Sequence, residues 1–236
     1  MSQQRLSRDR ARAVDRAAAE LCGLPTLVLM EHAGRSAAEL VARLVVERRP
    51  GARVRIFCGG GNNGGDGFVV ARFLDAAGLA VECVCVATLE ATSGDARSER
   101  EIAARCGLAL LDGSSPERLL ALHAAALCGP GPLVLVDALL GTGFSGPLKP
   151  HVAAAIAQLN DLRTRRDALT VALDLPSGLD CDDGTLADPT VSADVTATFV
   201  AEKLGFASAA ARCVLGQVVV LGIGAPRAAL EVARPT

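Results

Sequence analysis

CGGGNNGGDG, Cys58 to Gly67, follows the apolar run Val54 to Phe57 and precedes Phe68 to Leu74, whose apolar residues recur at helical spacing. That context predicts a loop between a strand and a helix. The glycines at 59, 60, 61, 64, 65 and 67 cost backbone entropy on folding. Without Cβ atoms, however, their N–H groups can come close to a phosphate or another polar ligand at the start of the helix. Gly59, Gly61 and Gly64 formally spell G-x-G-x-x-G. The dinucleotide fingerprint also requires an acidic residue at the end of the second strand, whereas Glu82 stands near the start of the run Val81 to Val86. The stretch therefore reads as a glycine-rich ligand loop and not as the standard NAD fingerprint. Asn62, Asn63 and Asp66 add directional donors and acceptors. The plainer alternative is a tight turn in which Asp66 caps the helix.

Upstream of this loop, Ser7 is an N-cap signal, and Ala11, Val14, Ala18 and Leu21 form one helical face ending near Gly23. Pro25 opens a second helical pattern through Leu29, Met30, Leu40, Leu44 and Val45, which Pro50-Gly51 stops. Ala33 and Gly34 within it allow close packing, and His32 reads as a structural or surface histidine. Past the glycine loop, a strand is expected over Ala80 to Ala87, a helix over Ser93 to Cys106, a short strand at Leu108 to Leu111 and a helix from Ser115 to Leu127. Leu133 to Val136 is a continuous apolar run of the kind buried in parallel sheets, and it ends at Asp137. A helix follows from Pro150 to about Leu162, then an apolar strand at Leu169 to Leu173 ending at Asp174, and late strands at Val195 to Val200 and Val214 to Gly222. Alternating strands and helices imply an α/β fold: a three-layer αβα Rossmann-like sandwich around a mostly parallel sheet, with two helices ahead of the first strand. Ligands bind such sheets beyond the carboxyl ends of the strands, where the glycine loop, Asp137 to Pro147 and Asp174 to Asp180 all fall.

The 236 residues fit one domain, 1–236, and half of them are apolar, ample for a core. A net charge of −2, no Trp or Tyr and only six Phe argue against nucleic-acid binding. No apolar run is long enough to span a bilayer, and the start of the chain is charged and not signal-like, so a cytoplasmic protein without a membrane partner is expected. The eight cysteines lie in apolar runs or at helix ends without C-x-x-C spacing, and most are expected to be buried thiols. The three histidines are not spaced with them as zinc ligands. Only two lysines occur, Lys149 and Lys203. Lys149 and His151 read as a solvated face; Lys203 is expected either to contact phosphate or to pack with its charge kept at the surface. Asp180, Asp182 and Asp183 form an acidic turn without calcium-loop spacing.

GNNGGDG at 61–67, VDALLGTGFSGPL at 136–148, LDLPSGLD at 173–180 and ADVTATFVAEKLGF at 193–206, with LVLMEHAG at 27–34, resemble the NAD(P)H-hydrate epimerase family over about residues 5–225. The resemblance implies a substrate that is NADH or NADPH hydrated at C6 of the nicotinamide ring, interconversion of its R and S epimers, and a bound potassium ion. By motif position, Asn62, Asn63, Gly64, Gly65 and Asp66 would contact substrate, together with Gly141, Thr142, Gly143, Phe144, Ser145, Gly146, Pro147 and Asp174. Asn63, Asp137 and Ser177 would hold the ion. Asp174 or Asp137 would be the catalytic acid/base, with Asp174 favoured because the ion also claims Asp137. The family often carries a second, dehydratase domain for which there is no room after residue 225, so a separate ADP- or ATP-dependent dehydratase is the expected pathway partner. A homodimer is expected from the resemblance alone. Relatives of this domain also serve as non-catalytic binding modules, the alternative reading; the intact Asn63, Asp66, Asp137, Asp174 and Ser177 favour the enzyme. A generic NAD-dependent oxidoreductase is disfavoured by the misplaced Glu82.

Overall fold

The structure is a computed structural model that describes residues 5–232; the first four residues of the charged start and the last four of the chain lie outside the described residues. Two helices come first, α1 (Arg8–Cys22) and α2 (Thr26–Arg48). Ser7 caps α1 by accepting from the Arg10 N–H, and Gly23 ends it in the left-handed conformation, φ 64°. Strands and helices then follow as β1 (Arg53–Cys58), α3 (Asn62–Ala76), β2 (Val81–Cys85), α4 (Gly94–Arg105), β3 (Ala109–Asp112), α5 (Pro116–Cys128) and β4 (Leu133–Ala138). The chain continues through α6 (Pro150–Arg165), β5 (Leu169–Leu173), β6 (Val195–Phe199), α7 (Ala209–Leu215), β7 (Gln217–Leu221) and α8 (Arg227–Val232).

All seven strands are parallel, in the order β3-β2-β1-β4-β5-β6-β7. The apolar runs lie at its centre: β4, β5 and β6 are buried at every position, while the edge strands β3 and β7 are partly exposed. Helices α1 to α4 and α8 cover one face, with Val14, Leu44, Phe68 and Leu74 packed in one core with Ile56, Val136 and Val171. On the other face α5 and α6 bury Leu119, Ile156 and Leu159 with Phe57 and Leu135. Helix α2 lies tight against α3, since a Cβ on Gly34 would run into the Val69 side chain. Among the described residues no helix is long and apolar enough to cross a membrane.

Strand order positions the site. The chain builds outward from β1 to β3, then returns to place β4 beside β1, where Cys58 pairs with Ala138 at the carboxyl ends. The connections leaving β1 and β4 consequently diverge, and a crevice opens between them.

Three local expectations are corrected. Helix α3 begins at Asn62, inside the glycine stretch, with Gly61 as its N-cap; Asp66 thus sits within the helix and caps nothing, because packing needs overrode the poor helix propensity of glycine. The last strand begins at Gln217 and not at Val214, because α7 runs to Leu215 and the chain turns at Gly216, φ 56°. Four cysteines (58, 83, 85 and 181) are buried, but Cys22, Cys106, Cys128 and Cys213 are exposed at or near helix ends. Glu82 serves the sheet: it pairs at 2.8 Å with the buried Arg55 directly opposite on β1.

Candidate active site

A cleft of ≈ 1030 Å³ occupies the crevice, at the upper end of the roughly 300–1,000 Å³ usual for small-molecule sites. Its floor is the glycine loop. A Cβ on Gly59 would strike the Leu139 carbonyl, and one on Gly64 would strike the Gly59 carbonyl, so glycine is what lets the β1–α3 loop lie directly on the β4–α6 loop. The Gly61 cap offers no side-chain bond to α3, and Asn62 and Asn63 at the helix start line the cleft. Amide N–H groups of an uncapped helix start suit an anionic or carbonyl ligand.

Asn63 begins a network that ties three segments together. Its Nδ2 donates to the Leu140 carbonyl at 2.8 Å. The Leu140 N–H donates to Ser177 Oγ at 2.9 Å, and that hydroxyl donates to Asp137 Oδ1 at 2.6 Å. Asp137 is fully buried and also accepts the Ser177 N–H at 2.7 Å and the Leu139 N–H at 3.1 Å. Burial pushes its carboxyl up to about 6, against the opposing pull of those Ser177 and Leu139 bonds. Asn63 Oδ1 is buried and has no hydrogen-bond partner among the described residues.

Asp174 follows directly on the end of β5, with φ 63°. Its flanking residues close a three-residue turn, the Leu175 N–H donating to the Leu173 carbonyl at 2.8 Å. Val200 repeats the arrangement at the end of β6, with φ 69° and the Ala201 N–H donating to the Phe199 carbonyl at 2.8 Å. Such turns hold about 1–3 kcal/mol of strain each, and both residues face the cleft. Lys203 joins them. It is 1% exposed, and its Nζ reaches Asp174 Oδ1 at 2.8 Å, the Phe199 carbonyl at 2.8 Å and the Ala201 carbonyl at 3.2 Å. Neither expectation for Lys203 holds in full: it does pack, but its charge is buried and paired with Asp174.

Two further acids share the cleft with Asp174. Asp66 is pushed well above the usual carboxylate range, by burial first and then by the charges of Asp174, Asp15 and Glu99. Asp15 of α1 rises to about 6 through burial and the Asp174 charge, against the pull of Lys203 and Arg16.

The family model described as YjeF-related protein N-terminus matches residues 26–205. The chain belongs to this family. It is 42% identical over 98% of its length to an NAD(P)H-hydrate epimerase of Pirellula staleyi, 97% of which is covered. Identity to an NAD(P)H-hydrate epimerase of Rhodopirellula baltica is 38%, over 92% of this chain and 83% of that one. It is also 39% identical to a bifunctional NAD(P)H-hydrate repair enzyme of Moorella thermoacetica, covering 91% of this chain but 39% of the relative. In fold it is similar to the crystal structure of yeast ynu0, with a TM-score of 0.72 and 24% identity over 86% of this chain and 82% of the other.

Within this YjeF-related fold, the cleft gathers most of the residues picked out by motif: Asn62, Asn63, Asp66, Gly141 to Ser145, Pro147 and Asp174 all line it. Gly64, Gly65, Gly146, Asp137 and Ser177 stand outside its lining. Gly64 and Gly65 are packed beneath it, against Gly59 and Met30. Asp137 and Ser177 brace the loops from behind. Sequence reasoning missed α1, which precedes the segment matched by the family model yet supplies Arg12, Asp15 and Arg16 to the cleft wall. It also missed Arg8, which donates to the Thr142 carbonyl at 2.6 Å and the Phe144 carbonyl at 2.8 Å while pairing with Asp180 at 2.9 Å. The acidic turn is thus an anchor for α1, and through Arg8 it holds the β4–α6 loop. An acid and two arginines beside the apolar stripe of α1 were the available signal.

Proposed function

We propose that this cleft is the active site of an NAD(P)H-hydrate epimerase, which interconverts the R and S epimers of C6-hydrated NADH or NADPH. The observation that carries the reading is the placement of Asp174. A carboxylate held at one oxygen by a buried ammonium faces a dinucleotide-sized cleft floored by uncapped helix N–H groups. The near full-length likeness to relatives named NAD(P)H-hydrate epimerase supports it. The C6 hydroxyl sits on a carbon next to the ring nitrogen, so the nitrogen lone pair helps expel it once it is protonated. Water added to the opposite face inverts the centre. Asp174 handles a proton in this exchange. Asp137, out of the cleft lining and already accepting three hydrogen bonds, belongs to the bracing network.

A potassium ion is part of the reading, held by Asn63, Asp137 and Ser177. The donor set fits: one carboxylate, a hydroxyl and an amide oxygen suit a hard, weakly charged cation. Among the described residues the buried Asn63 Oδ1 has no partner, and a buried acceptor left unpaired costs about 1–3 kcal/mol, which a bound cation would offset. Bound there, the ion would offset the Asp137 charge and tie the glycine loop to the β4–α6 loop. The reading further takes the chain as one epimerase domain, cytoplasmic and homodimeric, working with a separate dehydratase.

The test is chromatographic: the isolated R epimer of hydrated NADH, incubated with the protein in potassium buffer, is expected to convert to the S epimer well above the spontaneous rate. Asp174→Asn is expected to lose about 10²- to 10⁴-fold in rate, the span usual for a general acid or base. Conversion at the spontaneous rate by folded wild-type protein refutes the proposal.

A further inference from the structure

Exchange of a hydroxyl with inversion needs two proton handlers, one for the group that leaves and one for the water that arrives. The carboxyls lining the cleft are not equivalent. Asp174 Oδ1 is taken by Lys203, and all three protons of that ammonium are engaged by Asp174 and the Phe199 and Ala201 carbonyls. Lys203 thus has no spare proton for a substrate. Asp174 Oδ2 faces Gly141, where an added Cβ would lie 3.6 Å away. Asp66, by contrast, is 8% exposed on α3, lines the same cleft, and among the described residues has no hydrogen-bond or ion-pair partner for its carboxyl.

We propose that Asp66 is the catalytic acid and Asp174 the catalytic base of the hydroxyl exchange, an assignment that rests on the epimerase reading above. The charged groups that face Asp66 are Asp15 from α1, Glu99 from α4 and Asp174 from the end of β5, all acids. Glu31 of α2 is committed to Arg72. Among the described residues no cation offsets the burial of Asp66, so it holds its proton beyond the usual carboxylate range, whereas Asp15 has Lys203 and Arg16 opposing its shift. One buried acid without a cation and one carboxylate with its own ammonium form the divided pair that acid–base chemistry requires.

The step balances without any outside reagent. Asp66 gives its proton to the C6 hydroxyl; the C6–O bond breaks, its electron pair leaving with water, and the ring-nitrogen lone pair forms a C6=N bond. A water on the other face then donates an oxygen pair to C6, the C=N pair returns to nitrogen, and the water's proton passes to Asp174 Oδ2. One proton has moved from Asp66 to Asp174, and the hydroxyl oxygen has been replaced by one from solvent. The opposite epimer follows the same path in reverse and returns the proton.

The experiment is turnover of the R epimer in ¹⁸O-labelled water with potassium, comparing wild type with the near-isosteric Asp66→Asn. Wild type is expected to take up one solvent oxygen per inversion. The variant, shown to be folded by circular dichroism, is expected to lose about 100-fold or more in kcat with KM within about threefold, and to lose the basic limb of the pH–rate profile. Wild-type kcat itself is expected to fall as rising pH takes the proton from Asp66, at a pH above the usual carboxylate range, a readout that needs no variant. A variant kcat within about tenfold of wild type, a rise in KM alone, a wild-type profile without a basic limb, or inversion with the original oxygen retained would each overturn the assignment. Retention of oxygen would mean ring opening, in which no hydroxyl leaves. Failure of wild type to invert at all sinks the epimerase reading itself, an outcome distinct from a wild type that inverts while Asp66→Asn keeps pace with it.

Discussion

Lys203→Met tests the buried ion pair on which the site is built. Methionine approximates the length and volume of the lysine stem but deletes the ammonium, leaving Asp174, whose side chain is 13% exposed, without its counter-charge. Breaking a buried pair from one side costs about 3–5 kcal/mol. The Phe199 and Ala201 carbonyls lose their donors as well, and the strained turns at Asp174 and Val200 lose the group that joins them. These contributions share atoms and do not sum, so the expected loss is about 4 kcal/mol. For a chain of this size that lowers the melting temperature by about 8–16 °C. The assay is urea unfolding followed by circular dichroism on wild type, Lys203→Met, Asp174→Asn and the double variant. Because the double variant leaves no unpaired charge, it should be about 2 kcal/mol more stable than Lys203→Met, yet equally inactive. A single-variant loss below about 1 kcal/mol, or a double variant equal to the sum of the singles, would refute the claim that the pair acts as one unit.

Asp15 links the site to pH. Its folded carboxyl is raised to about 6 from 3.8, so the folded state binds this proton more tightly than the unfolded chain; the resulting stability is present below about pH 4 and is lost as pH rises through 6. Asp15→Asn should therefore match wild type near pH 4 and exceed it by about 1–3 kcal/mol at pH 7.5, and melting curves that differ equally at both pH values would contradict this. Arg8→Gln frees the Thr142 and Phe144 carbonyls and the Asp180 pair; KM should rise about tenfold with a smaller change in kcat, and stability should fall by about 1–2 kcal/mol. Potassium at 100 times its dissociation constant should stabilise wild type by about 2.7 kcal/mol over choline at equal ionic strength. Asn63→Ala should abolish that difference, and equal wild-type melting temperatures in the two salts would remove the ion from the site.

The sheet was legible because its central strands carry the signal that needs no partner to interpret: Leu133 to Val136 and Leu169 to Leu173 are apolar throughout and are buried throughout. The loops leaving β1, β4 and β5 could then be assigned to one edge, which brought Asn63, Gly141 and Asp174 together before any coordinates. What escaped were relations between distant residues. Arg8 meets carbonyls 134 and 136 positions away, and no periodicity in α1 announces that. Lys203 was conspicuous in a chain with 22 other cationic side chains of the other kind and one other lysine, but a residue type does not reveal that its ammonium turns inward to a strained turn at the end of β5. The start of α3 was misplaced for a different reason. Glycines argue against a helix locally, and only the contact between Gly59 and Leu139 shows why a helix had to begin there without side chains.

The N-terminal segment pairs beside the segment that carries Lys203: the Leu6 N–H donates to the Glu202 carbonyl at 2.8 Å, and the Leu204 N–H donates to the Leu6 carbonyl at 2.9 Å. The seam joins segments far apart in sequence, so the segment around Leu6 can dock only once the segment around Lys203 has folded. Until both segments are in place, the glycine loop and the acids Asp15 and Asp66 have neither the ammonium nor the seam that fastens α1. Closing this seam and completing the pocket are thus the same event, so a copy whose first helix is not yet seated is an idle one.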